Sequence, residues 1–156
     1  MSTTRSEALR QALAERILVL DGATGTALEA EHLDADDYGG PDLVGCHEAL
    51  VLHRPDIVRR LHERYLGAGA DIAKVAVMPK NHNDVLTLLR ASWAARKETV
   101  DCPIVTMSMG EEGVVSRLAG GLYGSDITFA VGMGISAPGQ IPIAELRQGM
   151  AVLYRD

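Results

Sequence analysis

The fold is decided by Asp71-Ile-Ala-Lys-Val-Ala-Val-Met-Pro79, an apolar stretch that carries one lysine in its middle and ends on a proline. In a strand with period-two alternation, Lys74 shares one face with Ile72 and Met78, so the stretch predicts a buried strand. Burial disfavours the ammonium form of a lysine, which is one way that a lysine becomes a nucleophile for ketones and aldehydes. The alternative is a lysine on a sheet edge, or one whose charge reaches solvent from the end of a strand.

Strand and helix patterns alternate on both sides of this stretch. Short apolar runs predict strands, and apolar residues at i, i+3 and i+4 predict helices. One such helix begins near Asn81 and is expected to bury Val85, Leu89 and Trp93. The predicted strands are 17–20, 71–79, 103–109 and 126–131, with a possible fifth near Gln140. The predicted helices are 5–16, 55–66, the segment after Asn81, 114–118 and 142–154, and residues 31–54 are expected to form a long loop with some helix.

The alternation of strands and helices implies right-handed βαβ units and a mostly parallel sheet. A closed eight-stranded βα barrel needs about 250 residues. The 156 residues of this chain therefore predict an α/β fold with a partial, half-barrel-like TIM-barrel architecture. Sheet edges that are left unclosed favour coverage by loops or formation of a homodimer.

Composition restricts the class of partner. The formal net charge is −6 and no dense run of Lys and Arg occurs, which argues against a nucleic-acid partner. No apolar segment of about 20 residues suggests a membrane span. The two cysteines, Cys46 and Cys102, lie far apart without metal-type spacing, which is typical of a reducing compartment. We therefore expect a cytoplasmic protein that holds no metal.

Most of the second half of the chain resembles a known enzyme family. Residues about 68–155 are similar to the C-terminal half of type I 3-dehydroquinate dehydratase. The similarity lies in three stretches, in this order: GADIAKVAVMPKNHNDVLTLL, IVTMSMGEEGVVSRLAGGLYGS and SAPGQIPIAELR. The resemblance implies a lyase of the shikimate pathway and of aromatic amino acid biosynthesis. It would dehydrate 3-dehydroquinate, a small anionic keto acid, to 3-dehydroshikimate without a cofactor.

The same resemblance implies roles for five residues. Lys74 matches the lysine that forms a Schiff base with the ketone of the substrate, and Arg117 matches the arginine that binds the substrate carboxylate. Ser136 and Gln140 match residues of a loop that closes over the substrate, and Met107 would line the pocket. The family's general acid/base is a histidine on an earlier strand, and no motif of this sequence matches it.

The first part of the chain resembles a different family. Residues about 17–72 are similar to the start of the homocysteine S-methyltransferase domain of cobalamin-dependent methionine synthase, through ILVLDGATGT and LVGCHEALVLHRPDIVRRLHERYLGAGADI. The chain thus resembles a chimera within one compact domain, with 1–72 methyltransferase-like and 73–156 dehydratase-like. That methyltransferase activates its thiol substrate with zinc on late cysteines, including a Cys-Cys pair, and Cys46 and Cys102 offer no such set.

One histidine remains as a candidate base. His47 precedes Glu48 and so imitates a histidine with an acidic neighbour, at a position where the methyltransferase pattern has asparagine. His62 is expected to be an ordinary helix or surface residue. Three hypotheses follow: a dehydratase that acts through Lys74 and is impaired by the missing base, a homocysteine methyltransferase fragment, and a non-catalytic barrel-fragment scaffold.

Overall fold

The computed structural model describes residues 5–22, 24–98, 102–134 and 136–155. Ala23, in the predicted turn after the first strand, and Ile135, in the predicted loop before the last helix, lie outside the described residues. The chain divides into two compact units, one made of Met1–Ile17 with Lys74–Asp156 and the other of Leu18–Ala73.

The described residues form eight α-helices and two strands. The helices are α1 Arg5–Glu15, α2 Thr24–Glu29, α3 Ala35–Tyr38, α4 Leu50–His53, α5 Pro55–Gly67, α6 His82–Glu98, α7 Val114–Ala119 and α8 Ile143–Leu153. The strands are β1 Ala73–Val77 and β2 Ile104–Ser108, and short 3₁₀ turns lie at Pro41–Leu43, His47–Ala49 and Gly120–Tyr123. No helix among the described residues is both long enough and apolar enough to span a membrane.

The unit Leu18–Ala73 is built around helix α5. Proline is acceptable in the first turn of a helix, and Ile57 and Leu61 are buried on one face of α5, which confirms the predicted helix. Ile57 packs with the buried side chains Leu28, Tyr38 and Leu50. The segment 31–54, predicted to be a long loop with some helix, contains the short helices α3 and α4 and two 3₁₀ turns, and Asp34 caps α3.

The predicted strand 17–20 is reduced to one parallel bridge between Leu20 and Ile72. Val19 accepts hydrogen bonds from the amides of Asp71 and Ile72, at 2.8 and 3.2 Å. A continuous apolar run such as 17–20 predicts a strand that is buried on both faces, but Ile17 is 89% exposed and Val19 is 55% exposed. An apolar run shows that a segment can be covered, but it does not show that a covering element exists.

In the other unit, β1 and β2 form a two-stranded parallel sheet. Every residue of β2 is buried, and α6 and α7 pack on it. The strand predicted at Lys74 is present, but its predicted burial is wrong, because Val75 is 37% exposed and Met78 is 42% exposed. Among the described residues only β2 pairs with β1, so β1 lacks the second sheet neighbour that a central strand would have.

The predicted strand 126–131 is also absent. The segment runs beside β2, where the amide of Asp126 donates to the Ile104 carbonyl at 2.8 Å, and it forms one bridge, between Val131 and Pro142. The expectation of four or five strands is therefore wrong in number among the described residues. The α/β class is confirmed, with a crossover helix, α6, between its two parallel strands.

The buried face of α6 is rotated from the predicted one. Val85 and Leu89 are buried as expected, but Trp93 is 47% exposed and its ring lies 4.7 Å from the Lys97 ammonium. Ser92 takes the buried position instead, because its hydroxyl donates to the Thr106 hydroxyl of β2 at 2.7 Å. A satisfied polar pair thus holds α6 on the sheet at a point where hydrophobic spacing favoured the tryptophan.

Candidate functional site

Lys74 is the second residue of β1 and is half-buried. Its ammonium nitrogen lies 5.3 Å from the centroid of the Phe129 ring. A cation over an aromatic face is attracted by the negative face of the ring. The ring of Phe129, which is 37% exposed, therefore forms the surface on which the amine rests.

Arg117 lies in α7 and is 1% exposed. Its Nη1 donates to the Phe129 carbonyl at 3.3 Å and to Met107 Sδ at 3.5 Å, and its Nη2 donates to the Pro138 carbonyl at 3.1 Å. Burial lowers the pKa of the guanidinium from its ordinary value. No carboxylate of the described residues forms an ion pair with Arg117, so a buried cation is held only by neutral acceptors.

A tight connection between β2 and α7 sets the position of Arg117. The Ser116 hydroxyl accepts a hydrogen bond from the Ser108 amide at 2.8 Å and donates to the Gly113 carbonyl at 2.7 Å. A Cβ atom at Gly113 would lie 2.2 Å from the Ser108 carbonyl oxygen, so only glycine allows this approach. The end of the buried strand and the start of α7 are therefore locked together.

The loop before α8 is organised around the side chain of Gln140. Its Oε1 accepts from the Ser136 amide at 2.9 Å, from the Ser136 hydroxyl at 3.2 Å and from the Ala137 amide at 3.2 Å. Gly139 has φ +73°, as the third residue of a type II turn requires, and the Gln140 amide donates back to the Ala137 carbonyl at 3.4 Å. The turn places the Pro138 carbonyl on Arg117.

Phe129 joins the two cations of the site. Its ring lies under the Lys74 ammonium, and its carbonyl accepts a hydrogen bond from Arg117. The sulfur of Met107 and the carbonyl of Pro138 accept hydrogen bonds from the same guanidinium. The structure thus brings Lys74, Arg117 and Met107 together around one residue. Ser136 and Gln140 are joined to this group through the loop, and both use their polar atoms within the loop itself.

His47 belongs to the unit Leu18–Ala73. It is half-buried, and its ring stacks on that of Tyr38 with centroids 6.4 Å apart and planes inclined by 26°. This contact gives the imidazole a defined orientation. Its role as a base stays a prediction.

Sequence reasoning missed three features. Phe129 and Pro138 act through main-chain carbonyls, which leave no signature in a sequence; the only signal was that Phe129 is the single phenylalanine of the chain. His62, expected to be an ordinary helix or surface residue, has its Nδ1 2.5 Å from the carboxylate of Asp21, which is 1% exposed.

No group of three or more His, Cys, Asp and Glu side chains in the described part of the chain could hold a metal ion.

Comparison with known proteins identifies relatives of this chain. A family model described as type I 3-dehydroquinase matches residues 43–156. The 3-dehydroquinate dehydratase of Geobacillus thermodenitrificans is 59% identical over 87 residues, which are 56% of this chain and 34% of that enzyme. The enzyme of Aromatoleum aromaticum is 56% identical over 88 residues, 56% of this chain and 34% of the relative. The chain thus spans about a third of the length of these relatives.

Solved structures similar to this chain are also 3-dehydroquinate dehydratases. The 3-dehydroquinate dehydratase of Geobacillus kaustophilus has a TM-score of 0.55 and 55% identity, over 62% of this chain and 37% of that one. That of Enterococcus faecalis has a TM-score of 0.55 and 28% identity, over 99% of this chain and 64% of that one. These neighbours are TIM-barrel-like, which confirms the predicted fold class. The family match begins at residue 43, inside the segment that resembles a methyltransferase.

Proposed function

The chain belongs to the type I 3-dehydroquinase family, since that family's model matches more than half of its length, and from this we propose that it binds 3-dehydroquinate and forms an imine with it on Lys74. The reaction is that of a carbon–oxygen lyase, which here dehydrates a small anionic keto acid in the shikimate pathway. The whole reaction is a proposal for this chain, because the chain spans only 34% of the relatives named above.

One observation carries the proposal. A primary amine and a buried guanidinium lie on the ring and on the carbonyl of the same residue, Phe129. A substrate with a ketone and a carboxylate needs such a pair, an amine for the carbonyl carbon and a planar donor for the anion. The arginine fits an anion because it is desolvated and has no carboxylate partner among the described residues.

The chemistry proposed for Lys74 is a balanced sequence. The neutral amine attacks the ketone carbon, and the carbinolamine loses water to form the iminium. The iminium acidifies the neighbouring C–H bond, and a base removes that proton to leave an enamine. The protonated base returns the proton to the β-hydroxyl, which leaves as water, and hydrolysis of the new iminium by water releases 3-dehydroshikimate and restores the amine. His47 is a candidate that the sequence offers for the base, but we propose that the chain lacks an efficient base, so that turnover is slow. Ser136 and Gln140 are the candidates for the loop that closes over the substrate. The related Clostridium difficile enzyme is described with covalently modified comenic acid, which supports covalent chemistry in the family.

Borohydride trapping tests the proposal. The protein is incubated with 3-dehydroquinate and borohydride, and the intact mass and the modified peptide are then read. We expect one reduced adduct on Lys74 and none in Lys74→Ala. The matched control is Lys80→Ala, which removes an exposed lysine just beyond β1 and should leave the adduct unchanged. An adduct spread over Lys80 and Lys97, or none in protein shown to be folded, would reject the imine and favour a non-catalytic scaffold.

The chimeric origin is a separate proposal. We propose that residues 1–72 are methyltransferase-like and that 73–156 are dehydratase-like. The end of the compact unit Leu18–Ala73 at the predicted join supports this, whereas the grouping of Met1–Ile17 with Lys74–Asp156 does not. The family match from residue 43 weighs against it. Zinc content decides whether a methyltransferase function persists: stoichiometric zinc in the purified protein would favour it, and its absence would leave the lyase.

Two further expectations belong with this proposal. A homodimer would cover the exposed edge of β1, and light scattering after size exclusion would report a mass of twice 16.7 kDa. A cytoplasmic location is supported by the spacing of Cys46 and Cys102, which lie far apart in the sequence without a metal-binding pattern.

A further inference from the structure

A cavity lies behind Arg117, away from the amine of Lys74. Its volume is about 510 Å³, within the range of sites for small molecules; it is half-open to solvent and is lined by residues of α6, α7 and α8 and by residues between 120 and 128. Its lining includes Trp93, Arg96, Arg117, Thr128, Met150 and Tyr154. Lys74, Met107, Phe129 and Pro138 do not line it, so it is distinct from the site described above.

Two buried polar atoms of this lining have no hydrogen-bond partner among the described residues. One is Nε of Arg117, a side chain that is 1% exposed, and the other is Oγ1 of Thr128. The Nη1 and Nη2 atoms of Arg117 are already engaged by Met107, Phe129 and Pro138. A guanidinium has five N–H groups, so one N–H of Nη2 remains as well as that of Nε, and Nε is the atom that stays without any partner in the described part of the chain. A buried donor without a partner is unfavourable, and binding of an acceptor would remove that cost.

The charge of the lining favours an anion. Arg96 is paired with Asp126 and also donates to the Gly124 carbonyl at 2.7 Å, so these two lining residues neutralise each other. Arg117 has no such acidic partner among the described residues, which leaves one excess positive charge. The aromatic side chains Trp93 and Tyr154 add flat apolar surface, and they are 47% and 36% exposed.

We propose that this cavity is a second binding site, for a small carboxylate that carries a flat apolar body. The carboxylate accepts from Nε of Arg117 and from the hydroxyl of Thr128, and the apolar body lies against Trp93 and Tyr154. Because Arg117 also faces the amine site through Nη1 and Nη2, an occupant of the cavity fixes the same guanidinium from its other side.

Benzoate is the probe, and the chain supplies its own reporter. Trp93 is the single tryptophan of the sequence and lines the cavity, so its fluorescence reports binding directly. We expect a saturable change with benzoate, and at least a tenfold weaker one with benzamide, which has the same shape without the charge. The titration uses Lys74→Ala as well as the natural sequence; equal binding to both separates this site from the proposed imine chemistry.

Two methionines distinguish the sites by NMR of labelled methyl groups. Met150 lines the cavity, whereas Met107 contacts Arg117 outside it. Benzoate should shift the Met150 signal more than that of Met107, and Thr128→Val, which keeps the shape, should weaken binding about 3- to 10-fold. A larger shift at Met107, binding unchanged in Thr128→Val, or no saturable signal up to about 10 mM benzoate would overturn the proposal.

Discussion

At the scale of single residues, Gly139 allows the turn that brings the Pro138 carbonyl to Arg117, although it has no side chain of its own. It adopts φ +73°, and a Cβ atom there would lie 2.1 Å from the Gly110 carbonyl oxygen. An L-residue meets both penalties at once, since the left-handed conformation costs about 1–2 kcal/mol and the loop must also move off Gly110. That loop presents the Pro138 carbonyl to Arg117.

Gly139→Ala should therefore lower the free energy of unfolding by about 1–2 kcal/mol and reduce the borohydride-trapped fraction at Lys74. Denaturant titration and intact mass measure the two effects. Gly132→Ala is the matched control in the same loop, because a Cβ atom there meets nothing within 4 Å and its φ is not positive; it should change stability by less than about 0.5 kcal/mol. Equal effects of the two substitutions would contradict this role of Gly139.

Side chains with their own chemistry were the predictable part of the candidate site. Lys74 in an apolar run drew attention from pattern alone, and Arg117 gained a role by resemblance. Phe129 and Pro138 could not be found in this way, because any residue can supply a main-chain carbonyl. The buried Asp21 and His62 pair was missed because its members are 41 positions apart in the chain.

At the scale of elements, the start of α5 is held by charge. Arg54 contacts the Asp56 carboxylate through two nitrogens, at 3.0 and 3.1 Å, and Arg60 contacts it at 3.1 Å from the next turn. The hydrogen bonds from Arg54 lower the pKa of Asp56 from 3.8 to about 2. The carboxylate also lies in the first turn of the helix, where the helix dipole favours a negative charge.

A carboxyl group whose pKa is lower in the folded chain than in the unfolded chain stabilises the folded chain at pH values above its unfolded pKa. This stabilisation is lost as the pH falls toward the pKa of the folded chain. For Asp56 the loss should occur between about pH 4 and pH 2, with unit Leu18–Ala73 unfolding more easily at the acid end. Thermal unfolding followed by circular dichroism at several pH values measures this. Asp56→Asn should flatten the dependence in that window, and the exposed Asp42→Asn should not; the same slope in both variants would contradict the assignment.

Helices were more predictable than strands in this chain. The predicted bounds of α5 and α8 and the predicted start of α6 hold within a few residues, because an amphipathic helix satisfies its own backbone hydrogen bonds and carries its pattern locally. A strand needs a neighbour that the pattern does not reveal. Hence 103–109 became the buried β2, whereas 17–20 and 126–131 remained extended segments with single bridges.

At the scale of the whole molecule, the chain has residues that match the family's lysine, arginine and substrate loop, but no motif that matches its histidine base. The amine, the guanidinium and the loop all lie in the unit that contains Lys74–Asp156. That stretch has one histidine, His82, which is exposed at the start of α6. Imine formation also transfers protons, but water can supply and accept them at the carbinolamine. Removal of the C–H proton from the iminium needs a base placed beside that carbon, and such a base contributes about 10²- to 10⁴-fold.

We therefore predict that the two stages separate in this 156-residue chain. Trapping on Lys74 should succeed, while turnover of 3-dehydroquinate should lie about 10²- to 10⁴-fold below that of the Geobacillus thermodenitrificans enzyme. Because the missing function is a proton carrier, added imidazole should raise turnover in proportion to its concentration at fixed pH, without changing the trapped fraction. The absorbance of the enone product gives the rate. His47→Ala should respond to imidazole as the natural sequence does. If turnover is instead insensitive to imidazole and is lost in His47→Ala, the base is His47 and the two stages are not separated.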